Sequence, residues 1–574
     1  MIQSRDFVKP FLTDHRLPWI LGIICMMMFF FHLGRAALFE PDEGRNAERA
    51  REILVLDNWV IPHENFLPAL DKPIAFYWLI AFSYKLFGIS EWSARLPSAL
   101  AAAGCLVLVY GFVRNRWNPW ESLGSVLVLA TSVEFFLYAR IVIFDMMLTF
   151  LTTLTLLEFY RAANAADKKT RRRHCFLMYT AMGFATLVKG PIGVLIPGMV
   201  MFFYLLLTHR WRLLTQMGLI VGALIFGVIV TPFYVWAELR DPGYLRYFLW
   251  EENFLRFFTP HFQRSKPWYY YFLVIAAGFS PWSFFIPSIV KGFWKKKLAD
   301  RDLFLVLWIV LPLIFFSLSN SKLPHYILPI FPPLAILTAK AIREIVNDNS
   351  VHSRWQLGLP IVIIVICTVY MIVGSLWVEL LPRPIRHIAD NVSRSIWAVG
   401  LLLVLLFSKF VWGAFQGKWR EQRFVYLCYS GASVLFAFLV VQMSVAASYD
   451  RSAKSLASNS APFIGPGHQT VFYDAYLTGI PFYLRIEQPI WIVWAGHENI
   501  IMENIFVAQN QPAPAAGYGQ TLFTYEQFDK EWKGSTRSLR VFIKKKHLAR
   551  LALPNGVSPK VLATENDFAL VTNR

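Results

Sequence analysis

Apolar runs long enough to cross a bilayer recur along most of this 574-residue chain, and they constrain its fold more than any other feature. A helical crossing needs about 20 mostly apolar residues. Window reading places such runs at 17–38, 94–113, 123–137, 146–160, 175–188, 192–207, 214–237, 269–290, 303–318, 326–341, 357–378, 396–415 and 424–447, about 13 spans. Only 16% of residues are charged, against about a quarter in soluble chains, so a polytopic α-helical membrane protein is expected. The net charge of +19 does not point to nucleic acid, because Lys and Arg gather in short loops between the runs, as topology signals do. The five cysteines lie in or beside apolar runs without paired spacing, which gives neither a disulfide framework nor a zinc signature. Arg5, Lys9 and Arg16 precede the first run, and no small-residue cleavage site follows it, so it is expected to stay as an uncleaved span.

One further run, 73–87, carries Lys85 and several tyrosines and follows Asp71-Lys72-Pro73. If it spans, every later basic loop falls outside; if it lies flat in the interface, all of them fall inside. The positive-inside rule selects the interfacial helix. The outer face then collects 40–72, 140–145, 189–191, 238–267, 319–325, 380–394 and everything after 448. From about 448 the composition turns polar. Strands are expected at 470–474, 490–494, 539–544 and 568–572, with helices at 525–532 and 547–551. The expected division is a membrane domain, 1–447, whose first outer loop (40–90) holds interfacial helices, and a small α/β domain, 448–574, outside the cytoplasm.

The outer face carries the candidate chemistry. Phe39-Glu40-Pro41-Asp42-Glu43-Gly44-Arg45 follows the first span, and carboxylates at a membrane edge are costly enough to suggest function. The competing reading is a helix start with acids near its N-terminus. Asp42, Glu43 and Asp145 are the candidate acids for base or orienting work, Asp145 also reading as a helix N-cap. Arg45, Lys72, Lys189 and Lys322, with Tyr326, are the candidate ligands for a lipid-borne phosphate; each cation alone also reads as an interfacial anchor. Asp71, the Glu251-Glu252 pair and His261 are the candidate ligands for a divalent metal ion, without any HxxxH spacing to support them.

Six motifs together resemble the bacterial lipid A aminoarabinose transferase family, within the wider group related to protein O-mannosyltransferases. They are Phe39–Arg45, Asp71-Lys72-Pro73, Ala94-Arg95-Leu96-Pro97-Ser98, Lys189-Gly190-Pro191, Glu252-Asn253-Phe254-Leu255-Arg256-Phe257 and Lys322-Leu323-Pro324-His325-Tyr326 through Pro329. The resemblance covers roughly 17–345 and is more specific for the superfamily than for one sugar. It implies a C-type glycosyltransferase fold in the bacterial inner membrane, facing the periplasm. It also implies an undecaprenyl-phosphate-linked sugar donor, lipid A or another periplasmic acceptor, and no nucleotide-sugar site. By the same resemblance Asp42 is the catalytic acid, Asp145 the second acid, and Lys72 a donor-phosphate ligand with Arg45 and Lys322 near it. Asp71 stands where relatives carry a metal-linked Glu, and Asn253 stands where aminoarabinose enzymes carry His. The rival expectations are a protein O-mannosyltransferase-like enzyme, a lipid-linked sugar flippase, whose polar path would run through the spans rather than sit at loop ends, and a membrane scaffold.

Overall fold

The computed structural model describes residues 26–115, 119–259, 265–295, 298–347, 451–493, 521–534, 537–551 and 559–573, with isolated positions between 405 and 448. The expected spans 357–378 and 396–415 and nearly all of 424–447 lie outside the described residues. So do Arg5, Lys9 and Arg16, the start of the 17–38 run, the 380–394 loop and His261. The chain divides into two compact units. One comprises Met1–Leu33, Arg95–Val235 and Leu249–Ala446; the other comprises Gly34–Ala94, Trp236–Phe248 and Ala447–Arg574.

The first unit is helical. Among the described residues four helices are long and apolar enough to cross a membrane: Glu91–Arg114, Leu219–Arg240, Asp300–Leu318 and Pro324–Asn347. A fifth crossing is available if the bent pair Tyr270–Gly278 and Trp282–Phe293 counts as one. Leu219–Arg240 shows why lipid is the solvent here: Ile220 is 80% exposed and Val228 74%, an outward apolar face unsuited to water. The apolar runs at 146–160 and 175–188 are cores of longer helices, Phe144–Ala163 and Lys168–Lys189. The Thr149, Thr155, Thr186 and Thr338 hydroxyls donate back to carbonyls four residues earlier, so these hydroxyls add no unmet hydrogen bond to the bundle. Gly193 permits a close approach of helix backbones: a Cβ there would lie 2.3 Å from the Ala185 carbonyl carbon and 2.4 Å from Thr186 N.

Two expected spans are interrupted. The run 123–137 divides at Ser132, extended at φ −66° and ψ 126°, between the helices Pro119–Thr131 and Val133–Tyr138. The run 269–290 turns by 112° around Phe279-Ser280-Pro281. Pro281 has no N–H to continue a helical ladder, and its ring disfavours helical backbone at Ser280.

In the second unit the helix Asp42–Leu56 follows Pro41 and buries Glu43, Asn46, Glu48, Arg49, Arg51 and Glu52. A two-stranded ribbon, β1 (His63–Glu64) against β2 (Leu67–Pro68), leads to the helix Ala75–Phe87. At 13 residues that helix is about 20 Å long, well short of the ~30 Å hydrocarbon core. Its sides differ in burial. Phe76, Tyr77, Ile80 and Tyr84 are buried, whereas Leu79, Phe82, Leu86 and Phe87 are exposed, so the outer side is apolar as well. Lys85 lies 4.5 Å from the Trp59 ring centroid.

The same unit holds a six-stranded sheet made of β3 (His468–Tyr473), β4 (Trp491–Val493), β5 (Leu522–Phe523), β6 (Ser538–Lys544), β7 (Lys560–Glu565) and β8 (Phe568–Thr572). Its order is β5-β4-β3-β6-β8-β7. The β5, β4, β3 and β6 neighbours run parallel, and β8 and β7 close the edge antiparallel. Alternate residues feed two cores, as the two-residue strand period requires. Phe472, Ile492, Phe542 and Leu570 pack with Leu456 and Ile480, while Val471, Val493, Val541 and Val571 pack with Phe528 and Trp532.

Candidate functional site

The polar residues singled out in the sequence fall into clusters within each unit. In the second unit, Asp42 opens its helix with a side chain 64% exposed, and Arg45 reaches it at 2.5 Å. Glu43 turns inward and its carboxylate accepts from Phe39 N at 3.1 Å, a role in forming the helix N-terminus. Glu40 accepts from Thr478 N (2.9 Å), the Thr478 hydroxyl (2.6 Å) and Gly479 N (2.6 Å). Burial pushes its carboxyl up to about 7 against the opposing pull of those bonds.

Beneath this exposed acid lies a charged network that the sequence reading did not anticipate. Arg49 donates to Glu64 (2.9 and 2.6 Å), to Asp71 (2.8 Å) and to the Tyr77 hydroxyl (2.7 Å), all buried. Arg51 forks onto Glu48 with two bonds of 2.7 Å and also donates to the Ile486 carbonyl. Glu52 accepts from Asn65 N and Phe66 N, and burial together with neighbouring Glu48 pushes its carboxyl up. Asp71 is thus fixed by Arg49, and Lys72 folds over it, donating to the Asp71 carbonyl at 2.8 Å with its ammonium 3.6 Å from the carboxylate.

In the first unit, Asp145 is buried at the start of the helix Phe144–Ala163 and accepts from the Lys189 ammonium. His325 Nε2 lies 3.7 Å from its second oxygen. Lys189 also stands 4.6 Å from the Tyr326 ring centroid, and the Tyr138 ring meets His325 edge-on at 5.4 Å. Asp145 therefore holds a cation and a histidine at one helix start, and Tyr326 bounds the cation on another side. Lys322 is buried and donates to the Lys266 carbonyl at 3.0 Å. Glu252 is bound by Arg256 at 2.6 Å.

Of the candidate metal ligands, Asp71 and Glu252 face cations, and His261 lies outside the described residues. Among the described residues there is no group of three or more His, Cys, Asp or Glu able to hold one. Asp71 already faces Arg49 and Lys72, and Glu252 faces Arg256.

The sequence reading passed over Arg49 and Glu64, which carry no local signal, and Glu134, which does. Glu134 interrupts an apolar run, and an ionisable residue inside a span is itself a flag.

Comparison with known proteins bears out the resemblance seen in the motifs. A family model described as dolichyl-phosphate-mannose-protein mannosyltransferase matches residues 71–236. The undecaprenyl phosphate-α-4-amino-4-deoxy-L-arabinose arabinosyl transferase of Pseudomonas paraeruginosa is 33% identical over 331 residues, 57% of this chain and 60% of that protein. Its namesake from Aeromonas salmonicida is 30% identical over 350 residues, 59% of this chain and 63% of that protein. The chain thus spans about 60% of the length of the curated relatives it matches. The crystal structure of ArnT from Cupriavidus metallidurans bound to undecaprenyl phosphate superposes with a TM-score of 0.83 at 24% identity, covering 98% of this chain and 99% of that one. The fold is therefore the polytopic, helical one of that crystal structure.

Proposed function

We propose that this relative of the aminoarabinose transferases is a glycosyltransferase that moves a sugar from an undecaprenyl-phosphate donor to lipid A or another periplasmic acceptor. The observation that carries the proposal is the fold shared over 98% of the chain with a protein crystallised on undecaprenyl phosphate. In this reading the chain crosses the inner membrane about 13 times, the helix Ala75–Phe87 lies in the outer interface on its apolar side, and 448–574 form a periplasmic α/β domain.

The reaction is direct displacement at the anomeric carbon. The acceptor oxygen forms the new glycosidic bond as the bond to the donor phosphate breaks, and the phosphate leaves with both electrons of that bond. Arg45 and Lys72, and among the helices Lys189 and Lys322, are the cations assigned to the charge that grows on that phosphate. Tyr326 is assigned to it as a hydrogen-bond donor. Asp145 is a positioning residue that aims the Lys189 ammonium. The exposed carboxylate of Asp42 takes the proton if the acceptor is a hydroxyl. If the acceptor is a phosphate, already anionic, Asp42 orients it instead.

The test is transfer by the full-length protein in liposomes containing a radiolabelled polyprenyl-phosphate sugar and lipid A. The wild type should transfer label, and Asp42→Asn should abolish transfer while remaining folded in the membrane. Wild-type-like transfer by that variant removes Asp42 from the chemistry. Movement of labelled lipid across the bilayer without turnover would replace the transferase with a flippase.

A further inference from the structure

We propose that the turn 208–213, between two apolar helices, binds the phosphate headgroup of an acidic phospholipid in the leaflet opposite Asp145. The proposal needs the membrane placement given above, but not the transfer reaction. The helix Phe144–Ala163 starts at the Asp145–Lys189 pair, and its 20 residues carry the chain about 30 Å, the thickness of a hydrocarbon core. At its far end Arg210 donates to the Ala163 carbonyl at 2.6 Å, which places the turn one bilayer core away from that pair. His209 reverses the chain in the left-handed region, at φ 53°, after the helix Ile192–Leu207. Arg210 also donates to the Tyr204 hydroxyl at 3.2 Å, and that hydroxyl donates to Asp300 at 2.7 Å. Arg210 is thus spent on holding the turn. Arg171 donates to Gln216 Oε1 at 2.6 Å and to the Ala165 carbonyl at 3.0 Å, bringing the start of the helix Lys168–Lys189 alongside.

The turn encloses an open cavity of about 540 Å³, lined by His209, Arg210, Trp211, Arg212 and Leu213. The side chains of His209 and Arg212 have no partner among the described residues. Lys168, Lys169, Arg172 and Arg173, exposed on the neighbouring helix start, have none either. Acids do not offset them. Asp167 is the sole carboxylate between 159 and 216, and it accepts from Thr170 N at the start of its own helix. Glu158 is held by Arg161 and His174, and Asp300 by Tyr160 and Tyr204. Exposed cations alone need no ligand, because water solvates them. What makes a site here is the cavity together with an apolar wall. Phe202, Leu206, Leu219 and Ile220 are exposed on the helices that enter and leave the turn, and the Trp211 ring meets Phe202 at 5.6 Å. An occupant that fits must offer an anion to the Arg212 fork and hydrocarbon to that wall. A diacyl phosphodiester offers both, whereas free phosphate offers only the first.

The test titrates the full-length protein, in a neutral detergent, with dioleoyl phosphatidylglycerol or dioleoyl phosphatidylcholine and counts bound lipid by native mass spectrometry. The wild type should hold the acidic lipid roughly fivefold or more tightly than the zwitterionic one. Arg212→Gln should remove most of that preference. Arg172→Gln, which deletes the same charge outside the cavity lining, should keep it, and the difference between the two variants separates this site from any other lipid the protein carries. Inorganic phosphate at the same concentration should not displace the acidic lipid. Equal retention of the two lipids by the wild type overturns the inference. So does an equal loss of preference in the two variants, which would mean diffuse attraction to the whole basic face. Displacement by inorganic phosphate would leave a plain anion site and overturn it as well. Absence of sugar transfer by the wild type would touch the transferase reading alone, so the two failures are distinguishable.

Discussion

Arg49→Met is the sharpest perturbation of the loop that carries Asp42. The guanidinium at this position makes four bonds of 2.6–2.9 Å, two to Glu64, one to Asp71 and one to the Tyr77 hydroxyl. The side chains of Arg49, Glu64 and Asp71 are 1%, 1% and 4% exposed. Removing the cation takes from two buried carboxylates the partner they share, leaving Asp71 the Lys72 ammonium at 3.6 Å, and breaking a buried pair in this way costs about 3–5 kcal/mol. At about 1.4 kcal/mol per decade, that is roughly a hundredfold to several-thousandfold more frequent opening of the segment 42–77. Hydrogen–deuterium exchange of peptides from that segment reads the opening directly, without assuming that the whole membrane protein unfolds in one step. Adding Glu64→Gln and Asp71→Asn to Arg49→Met should restore most of the lost protection, because the penalty lies in the orphaned charges. Protection in Arg49→Met within about threefold of wild type would refute the network as the support of this loop. A triple variant no better protected than the single one would refute the electrostatic origin of the loss.

Glu40 sets a pH dependence. Its folded-state pKa of about 7 lies above the ordinary value of 4.5, so its contribution to stability is fully present below pH 4.5 and is lost as pH rises through 7. The loss is at most about 3 kcal/mol; thermal unfolding from pH 4.5 to 8 should show it in the wild type, and Glu40→Gln should flatten the slope. A wild-type stability that rises across that window would reverse the sign. Gly193→Ala should destabilise the bundle by about 1–3 kcal/mol, since its methyl would strike the backbone of Ala185 and Thr186. Gly198→Ala, in the same helix with nothing within 4 Å of its Cβ position, should be neutral or stabilising; equal unfolding temperatures for the two variants would refute the contact.

What the sequence disclosed followed from local pattern. The apolar runs at 192–207 and 303–318 became helices with nearly the same bounds because side-chain hydrophobicity and helical backbone demand the same residues. The strands His468–Tyr473, Ser538–Lys544 and Phe568–Thr572 were legible from β-branched and aromatic runs. Leu522–Phe523 was too short to register, and the charged ends of Lys560–Glu565 mask its strand character. The breaks at Ser132 and Phe279 were hidden for another reason: hydropathy averages over a window and does not register where a ladder of hydrogen bonds stops. Asp42, Arg45, Lys72 and Lys189 were singled out by motif, and Asp145 by its place on the outer face. That Lys189 is held by Asp145 was not readable, since 44 residues separate them. Glu48, Arg49, Arg51 and Glu52 have the look of a solvated helix face. Only their partners, among them Ile486 from the far end of the chain, make burial tolerable.

The way the second unit is sewn together carries a consequence for biogenesis. Asn65 exchanges hydrogen bonds with the backbone of Ile490, 425 residues away, and Glu40 accepts from Thr478 and Gly479 across a similar distance. A nascent chain delivers the Asp42 segment to the membrane early, long before the residues that complete its bonding have been synthesised. Until those residues arrive, water or a chaperone must stand in for Thr478, Gly479, Ile486 and Ile490 at Glu40, Arg51 and Asn65, so this segment matures last although it is made among the first. A ribosome stalled anywhere before the final sheet would leave an inserted but unfinished protein, and quality-control proteases would meet its acid-bearing loop in an open state.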